Sequence, residues 1–267
     1  MKAFVVAAGL GTRLRPLTDS RPKALVEIGG EALLGHVLRK LVAAGYDDIT
    51  VNAYHFADQV LDYVAAHDFG VAVHVSDERG ILDPAGPLET GGGILQARRF
   101  LEGDSFLVHN VDILSNLDLA ALRAAYRPES LGTLVVSDRK TQRYFLFNEQ
   151  MRLVGWTNLA TGEVRSPFAD IDPAACRKYA FAGIYHLSPK VFSVMEGLGF
   201  SKRFPVVDFF LAACKEQAIY GYVPDGLEMV DVGKLDTLTL AEDFVQRANT
   251  RLTKSYRNTP ATAKPAQ

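Results

Sequence analysis

Met1-Lys2-Ala3-Phe4-Val5-Val6-Ala7-Ala8-Gly9-Leu10-Gly11-Thr12-Arg13-Leu14-Arg15-Pro16-Leu17-Thr18-Asp19-Ser20-Arg21-Pro22-Lys23 is the stretch that decides the fold. Ala3 to Ala8 is continuously apolar and stops at Gly9, the pattern of a strand buried on both faces. Residues 9–23 then form a long loop with little helical periodicity. It holds Gly9 and Gly11, where the backbone can turn sharply and approach a ligand, and the cations Arg13, Arg15, Arg21 and Lys23. A dinucleotide-binding turn would need a third glycine at 14, where this chain has Leu14, and a helix starting at once. No Gly-Lys-Ser or Gly-Lys-Thr follows, so the loop is not a Walker loop either. Several cations on one glycine-turned loop suit a triphosphate better than a diphosphate held by backbone N–H groups alone.

Outward from that loop, strand and helix patterns alternate. A one-face apolar series, Leu33, Leu34, Val37, Leu38, Leu41 and Val42, predicts a helix over 32–44 closed by Gly45. Strands follow at 48–52 and 71–75, around a helix marked by Phe56, Val60 and Val64. The alternation resumes with a strand at 105–108 and a helix at 117–126. Residues 133–136 and 144–147 read as antiparallel strands added to the core. After them come a strand at 180–187 and helices near 189–196, 206–216 and 235–249. The pattern predicts one α/β domain, residues 1–250, with a mostly parallel central sheet covered by helices on both faces. From Lys254 the composition turns to Lys, Arg, Ser, Thr, Pro and Ala, so 251–267 reads as a disordered tail.

The 29 basic and 31 acidic residues leave a formal charge of −2, which argues against a nucleic-acid binder held by bulk positive charge. No run of apolar residues is long enough for a membrane span, and no signal-peptide pattern opens the chain. Cys176 and Cys214 are too few for a disulfide framework. These features together predict a cytoplasmic protein.

The segments 9–18 and 21–26, together with Leu88-Glu89-Thr90-Gly91-Gly92-Gly93-Ile94, Asn110-Val111-Asp112, Phe181-Ala182-Gly183-Ile184-Tyr185 and Val230-Asp231-Val232-Gly233, resemble the signature of sugar-1-phosphate nucleotidylyltransferases in the same order. The resemblance covers about residues 1–245. It implies the nucleotide-diphospho-sugar transferase fold, which is Rossmann-like. It also implies a reaction in which a sugar 1-phosphate attacks the α-phosphorus of a nucleoside triphosphate. The glycine-rich run and the Asp-Val-Gly ending favour UTP and N-acetylmuramate 1-phosphate as the pair. Guanylyl transfer to mannose or heptose 1-phosphate, or a regulatory subunit that binds a nucleotide sugar without turnover, are the alternatives.

The resemblance also implies roles for residues. Arg13 would hold the departing pyrophosphate and Lys23 the phosphates at the reacting centre. Ala7, Ala8, Gly9, Gly11 and Thr12 would line the nucleotide, with Glu78 and Gly92 on the other side of the base. Asn158, Ala182 and Gly183 fall at sugar-pocket positions, although many relatives carry Glu where Asn158 stands. Asp112 and Asp231, each at a strand end, would hold Mg²⁺, which takes oxygen ligands and binds through one or two carboxylates plus substrate phosphates. Either aspartate could instead cap a following helix. Val111 stands where the family usually has Gly, so either the turn there is not left-handed or its geometry differs. The Gly91-Gly92-Gly93 run is expected ahead of a helix, with its N–H groups facing a ligand.

Overall fold

A computed structural model describes residues 1–80 and 86–257, the last seven by backbone path alone. In chain order the elements are β1 (Lys2–Val6), β2 (Glu27–Ile28), β3 (Glu31–Ala32), α1 (Leu33–Ala43), β4 (Asp48–Ala53), α2 (Ala57–Ala66), β5 (Ala72–Asp77), α3 (Glu89–Gln96), α4 (Arg98–Leu101), β6 (Phe106–Asn110) and β7 (Ile113–Ser115). The second half adds α5 (Leu119–Ala125), β8 (Gly132–Ser137), β9 (Arg143–Phe147), β10 (Leu153–Asn158), β11 (Glu163–Arg165), β12 (Arg177–Leu187), α6 (Val191–Gly197), α7 (Val206–Ala213), β13 (Ile219–Tyr222), β14 (Met229–Asp231) and α8 (Leu238–Arg257).

The strands β5, β4, β1 and β6 pair in parallel, with Phe4 opposite Thr50 on one side and Val108 on the other. Beyond β6 the sheet turns antiparallel through β12, which also pairs β8 and β9, and β10 and β11 continue it. Period-two alternation explains why β1 reads as unbroken apolar sequence. Ala3 and Val5 pack into a core under α1, α2 and α8, while Phe4 packs into a second core on the opposite face, under α3, α4, α6 and α7. The same split separates Leu107 from Phe106 and Val108. Both faces are thus covered, as the alternation predicts, and every parallel strand ends at one edge beside the 9–23 loop.

The loop itself is anchored by Leu14, which is fully buried in the first core. The residue that rules out a third glycine is therefore the loop's hydrophobic attachment, and burying such a side chain contributes about 2–3 kcal/mol. Six strands are absent from the sequence reading: β2, β3, β7, β10, β11 and β13. All but β10 are two to four residues long, too short to show a period. The final helix, predicted to end near 249, runs to Arg257, so the expected tail begins inside it; residues 81–85 and 258–267 lie outside the described residues.

Candidate active site

At the carboxyl edge of β1 and β6 a cleft of about 330 Å³ is lined by Ala7, Gly9, Gly11, Thr12, Arg13 and Lys23 on one wall, and by Asn110, Val111, Asp112 and Gly233 on the other. Its shape comes from the loop. Gly11 has φ 64°, and a Cβ there would meet Thr18 Cγ2 at 3.0 Å and Lys23 Cβ at 3.1 Å. Thr18 Oγ1 donates to Gly11 O at 2.8 Å and closes the turn. Lys23 follows Pro22 on a short 3₁₀ turn and is only 8% exposed. Its ammonium pairs with the Asp112 carboxylate across the cleft.

Asp231 reaches the same place by a second route. The short strands β7 and β14 pair antiparallel, setting Asp231 opposite Ile113, and Val232 N donates to Asp112 O at 2.8 Å. The Arg13 guanidinium lies close by, since a Cβ on Gly233 would sit 3.0 Å from Arg13 Nη2 and 2.7 Å from Asp231 Oδ1. Partial desolvation and the neighbouring Asp112 carboxylate raise the Asp231 pKa, against Lys23, Arg13 and Arg139, which lower it. Neither aspartate caps a helix. Asp118 takes that role for α5, accepting from Ala120 N and Ala121 N, and α8 starts seven residues after Asp231. Val111 keeps a negative φ and donates its N–H to Val6 O at 3.1 Å, so the departure from glycine introduces no strained turn.

The profile of the nucleotidyl transferase family matches residues 2–155, the segment that carries the loop, Lys23 and Asp112. The chain belongs to that family. Two relatives named N-acetylmuramate alpha-1-phosphate uridylyltransferase are similar to it. That of Caulobacter vibrioides is 41% identical over 147 residues, covering 52% of this chain and 59% of the relative. That of Neisseria meningitidis is 43% identical over 122 residues, covering 45% and 51%. The chain thus spans a little over half the length of these relatives. The solved inositol-1-phosphate CTP transferase of T. maritima superposes with a TM-score of 0.71 over 92% of this chain and 95% of that one, at 18% identity, and shares the fold.

Several residues of this chain sit differently from the sequence expectation. Gly91 and Gly92 lie inside α3, not ahead of it, and both N–H groups donate to Phe204 O, at 3.0 and 3.3 Å; they do not face the cleft. Close packing explains the glycines, since a Cβ on Gly92 would lie 2.1 Å from Lys202 O. Glu78 is 1% exposed, and protein donors hold both its carboxylate oxygens: Asn52 Nδ2 at 2.7 Å and Leu88 N at 3.1 Å. It supports the site through Asn52, whose Oδ1 accepts from Ala7 N at 2.6 Å and Ala8 N at 3.3 Å. Sequence reasoning missed Asn52, because one asparagine at a strand end carries no signal until β1 and β5 flank it.

On the sugar side, Gly183 has φ 73° inside a register shift of β12, and Asn110 fills the space where its side chain would be. That contact sets Gly183 behind Asn110, which lines the cleft, while Ala182 is buried in the first core; neither Ala182 nor Gly183 lines the cleft itself. Asn158 ends β10 and spends its Oδ1 on Ala160 N at 3.1 Å, holding the β10–β11 turn; the structure does not bring it into the cleft lining. Trp156 packs against the second core. His109 is fully buried beneath the site, and desolvation lowers its pKa to about 4, so it stays a neutral imidazole.

Burial of the Asn52–Glu78 pair gives a prediction. Desolvation raises the Glu78 pKa, so its ionised form already opposes folding. Asn52→Asp keeps an acceptor for Ala7 and Ala8 but sets a second carboxylate against Glu78. The pair's folded pKa values then rise further above their unfolded values, and the stability they allow at low pH is lost as pH rises through the folded values. Thermal unfolding should show Asn52→Asp about 2–3 kcal/mol less stable than the parent at pH 8, with the gap narrowing towards pH 5. A gap that is constant with pH would show that the two groups are uncoupled.

Proposed function

We propose that this chain is a Mg²⁺-dependent sugar-1-phosphate nucleotidylyltransferase acting on UTP and N-acetylmuramate 1-phosphate in the cytoplasm. The observation that carries the reading is the convergence of Arg13, Lys23, Asp112 and Asp231 on one cleft beside the glycine-turned loop. An oxygen of the sugar phosphate forms a bond to the α-phosphorus while the α–β bridging oxygen departs with pyrophosphate. Such chemistry depends on alignment and on neutralising charge, not on covalent participation by the protein.

Arg13 and Lys23 supply fixed positive charge for the phosphates, Arg13 beside the departing pyrophosphate and Lys23 at the reacting centre. Ala7, Ala8, Gly9, Gly11 and Thr12 shape the nucleotide wall, and Asn52 holds the Ala7 and Ala8 N–H groups in place. The donor set fits Mg²⁺. Asp112 and Asp231 offer oxygen only, and they already share their surroundings with a cation, the Lys23 ammonium. Bound there, the ion would offset phosphate charge. The two carboxylates, whose proximity raises the Asp231 pKa, would hold it.

The uridylyltransferase relatives support the choice of base and sugar. Pyrophosphate release, measured over a matrix of triphosphates and sugar 1-phosphates with Mg²⁺, tests the whole reading. UTP with N-acetylmuramate 1-phosphate is expected to give the highest kcat/KM. A maximum for GTP with mannose 1-phosphate would replace the pair, and binding without pyrophosphate release from any pair would replace the enzyme by a regulatory subunit.

A further inference from the structure

Beyond Arg13 and Lys23, a third cation stands on the opposite, sugar-side rim. Arg139 follows the end of β8, which runs parallel to β6 through their shared partner β12, so it emerges at the same edge as Asp112. Its Nη2 donates to Phe181 O at 3.1 Å, directly before the Ala182–Gly183 distortion that touches Asn110. The guanidinium makes no other hydrogen bond among the described residues, and its charge also acts on Asp231. Lys140 occupies the same excursion between β8 and β9, and neither it nor Arg139 has an ion-pair partner among the described residues.

A neutral sugar is held by hydroxyl hydrogen bonds, and a carboxylate is a natural acceptor for them. At this edge the structure sets the Arg139 guanidinium against Phe181 O instead. A planar fork fixed at one end by a backbone carbonyl is matched in shape to a carboxylate. We infer that Arg139 is a specificity-determining residue that binds a carboxylate on the sugar itself, apart from the 1-phosphate, so that the enzyme selects acidic sugar 1-phosphates. The inference rests on the reading of the site as a sugar-1-phosphate nucleotidylyltransferase. It agrees with N-acetylmuramate, whose lactyl ether carries such a group.

The test compares N-acetylmuramate 1-phosphate with N-acetylglucosamine 1-phosphate, which has the same ring without the lactyl carboxylate. Wild type should favour the acidic sugar in kcat/KM. Arg139→Ala should reduce that preference about 10–100-fold, the worth of one charged hydrogen bond, mainly through KM for the acidic sugar. Arg139→Lys, which keeps the charge but not the fork, should retain part of the preference.

An equal loss on both sugars would overturn the inference, because Arg139 would then act on the shared phosphate or hold up the Phe181 backbone. An unchanged ratio would overturn it as well. Calorimetric titration of the two sugar phosphates reads the same contrast where turnover is absent. Tighter binding of the acidic sugar by wild type, lost in Arg139→Ala, would uphold the inference even if UTP proved the wrong nucleotide. Equal binding of both sugars by wild type would overturn it.

Discussion

Lys23→Ala is expected to lower kcat about 10²–10³-fold, or about 2.7–4 kcal/mol of transition-state stabilisation, the loss typical of one preorganised charge contact. Lys23 reads from sequence as a loop cation whose removal should leave the fold intact. The structure changes the second half of that expectation. Its side chain is largely buried and paired with Asp112, so removing it takes away the ion-pair partner of Asp112 and one of the three cations that lower the Asp231 pKa. Because Asp112 remains partly open to solvent, the stability cost should be about 1–3 kcal/mol, less than for a fully buried pair. Denaturant unfolding measures that cost, and turnover per folded molecule isolates the catalytic part. Turnover near that of wild type in the folded variant would remove Lys23 from the reaction.

The second large effect concerns the carboxylate pair. Asp112→Asn and Asp231→Asn should each lower turnover at least about 100-fold, and the double variant should be little worse than either single one. Residues that work as a unit are strongly non-additive. Asparagine keeps the size and one oxygen, so the substitution isolates charge. Helix capping offers no competing account, since α5 is capped by Asp118. Stability should move the other way. Asp231 has a raised folded pKa, so its ionised form opposes folding above that value. Asp231→Asn should therefore be as stable as wild type or more so at pH 8, with the difference vanishing at acidic pH. Multiplicative losses in the double variant would mean two independent sites. Full activity in both single variants with unchanged Mg²⁺ dependence would refute the shared one.

Residues 9–23 were legible because their chemistry is contiguous: the glycines, the cations and the strand before them lie in one window. The parallel core was legible for a related reason, since strands buried on both faces have no polar interruptions. What escaped the sequence depends on neighbours distant in the chain. Asn52 matters only because β1 and β5 place Ala7, Ala8 and Glu78 around its amide. The Gly91–Gly93 run reads as a loop on propensity, but close approach of residues 202–204 requires small residues inside α3, and tertiary packing overrides the local preference. An exposed arginine after a strand is unremarkable until Phe181 O is seen to hold it.

The ribbon formed by β7 and β14 has a consequence in time. It is three residues long on each side, and it joins positions about 120 residues apart in the chain. At roughly 5–20 residues per second of synthesis, Asp112 leaves the ribosome roughly 6–24 s before Asp231. Through that interval the emerging polypeptide already carries the glycine-turned loop, Arg13 and Lys23, yet it lacks the second carboxylate. A chain that stops short of Asp231 would therefore carry the cations of the proposed phosphate site without the second carboxylate of the proposed metal pair. That pair is complete only when Met229–Asp231 docks beside Ile113–Ser115.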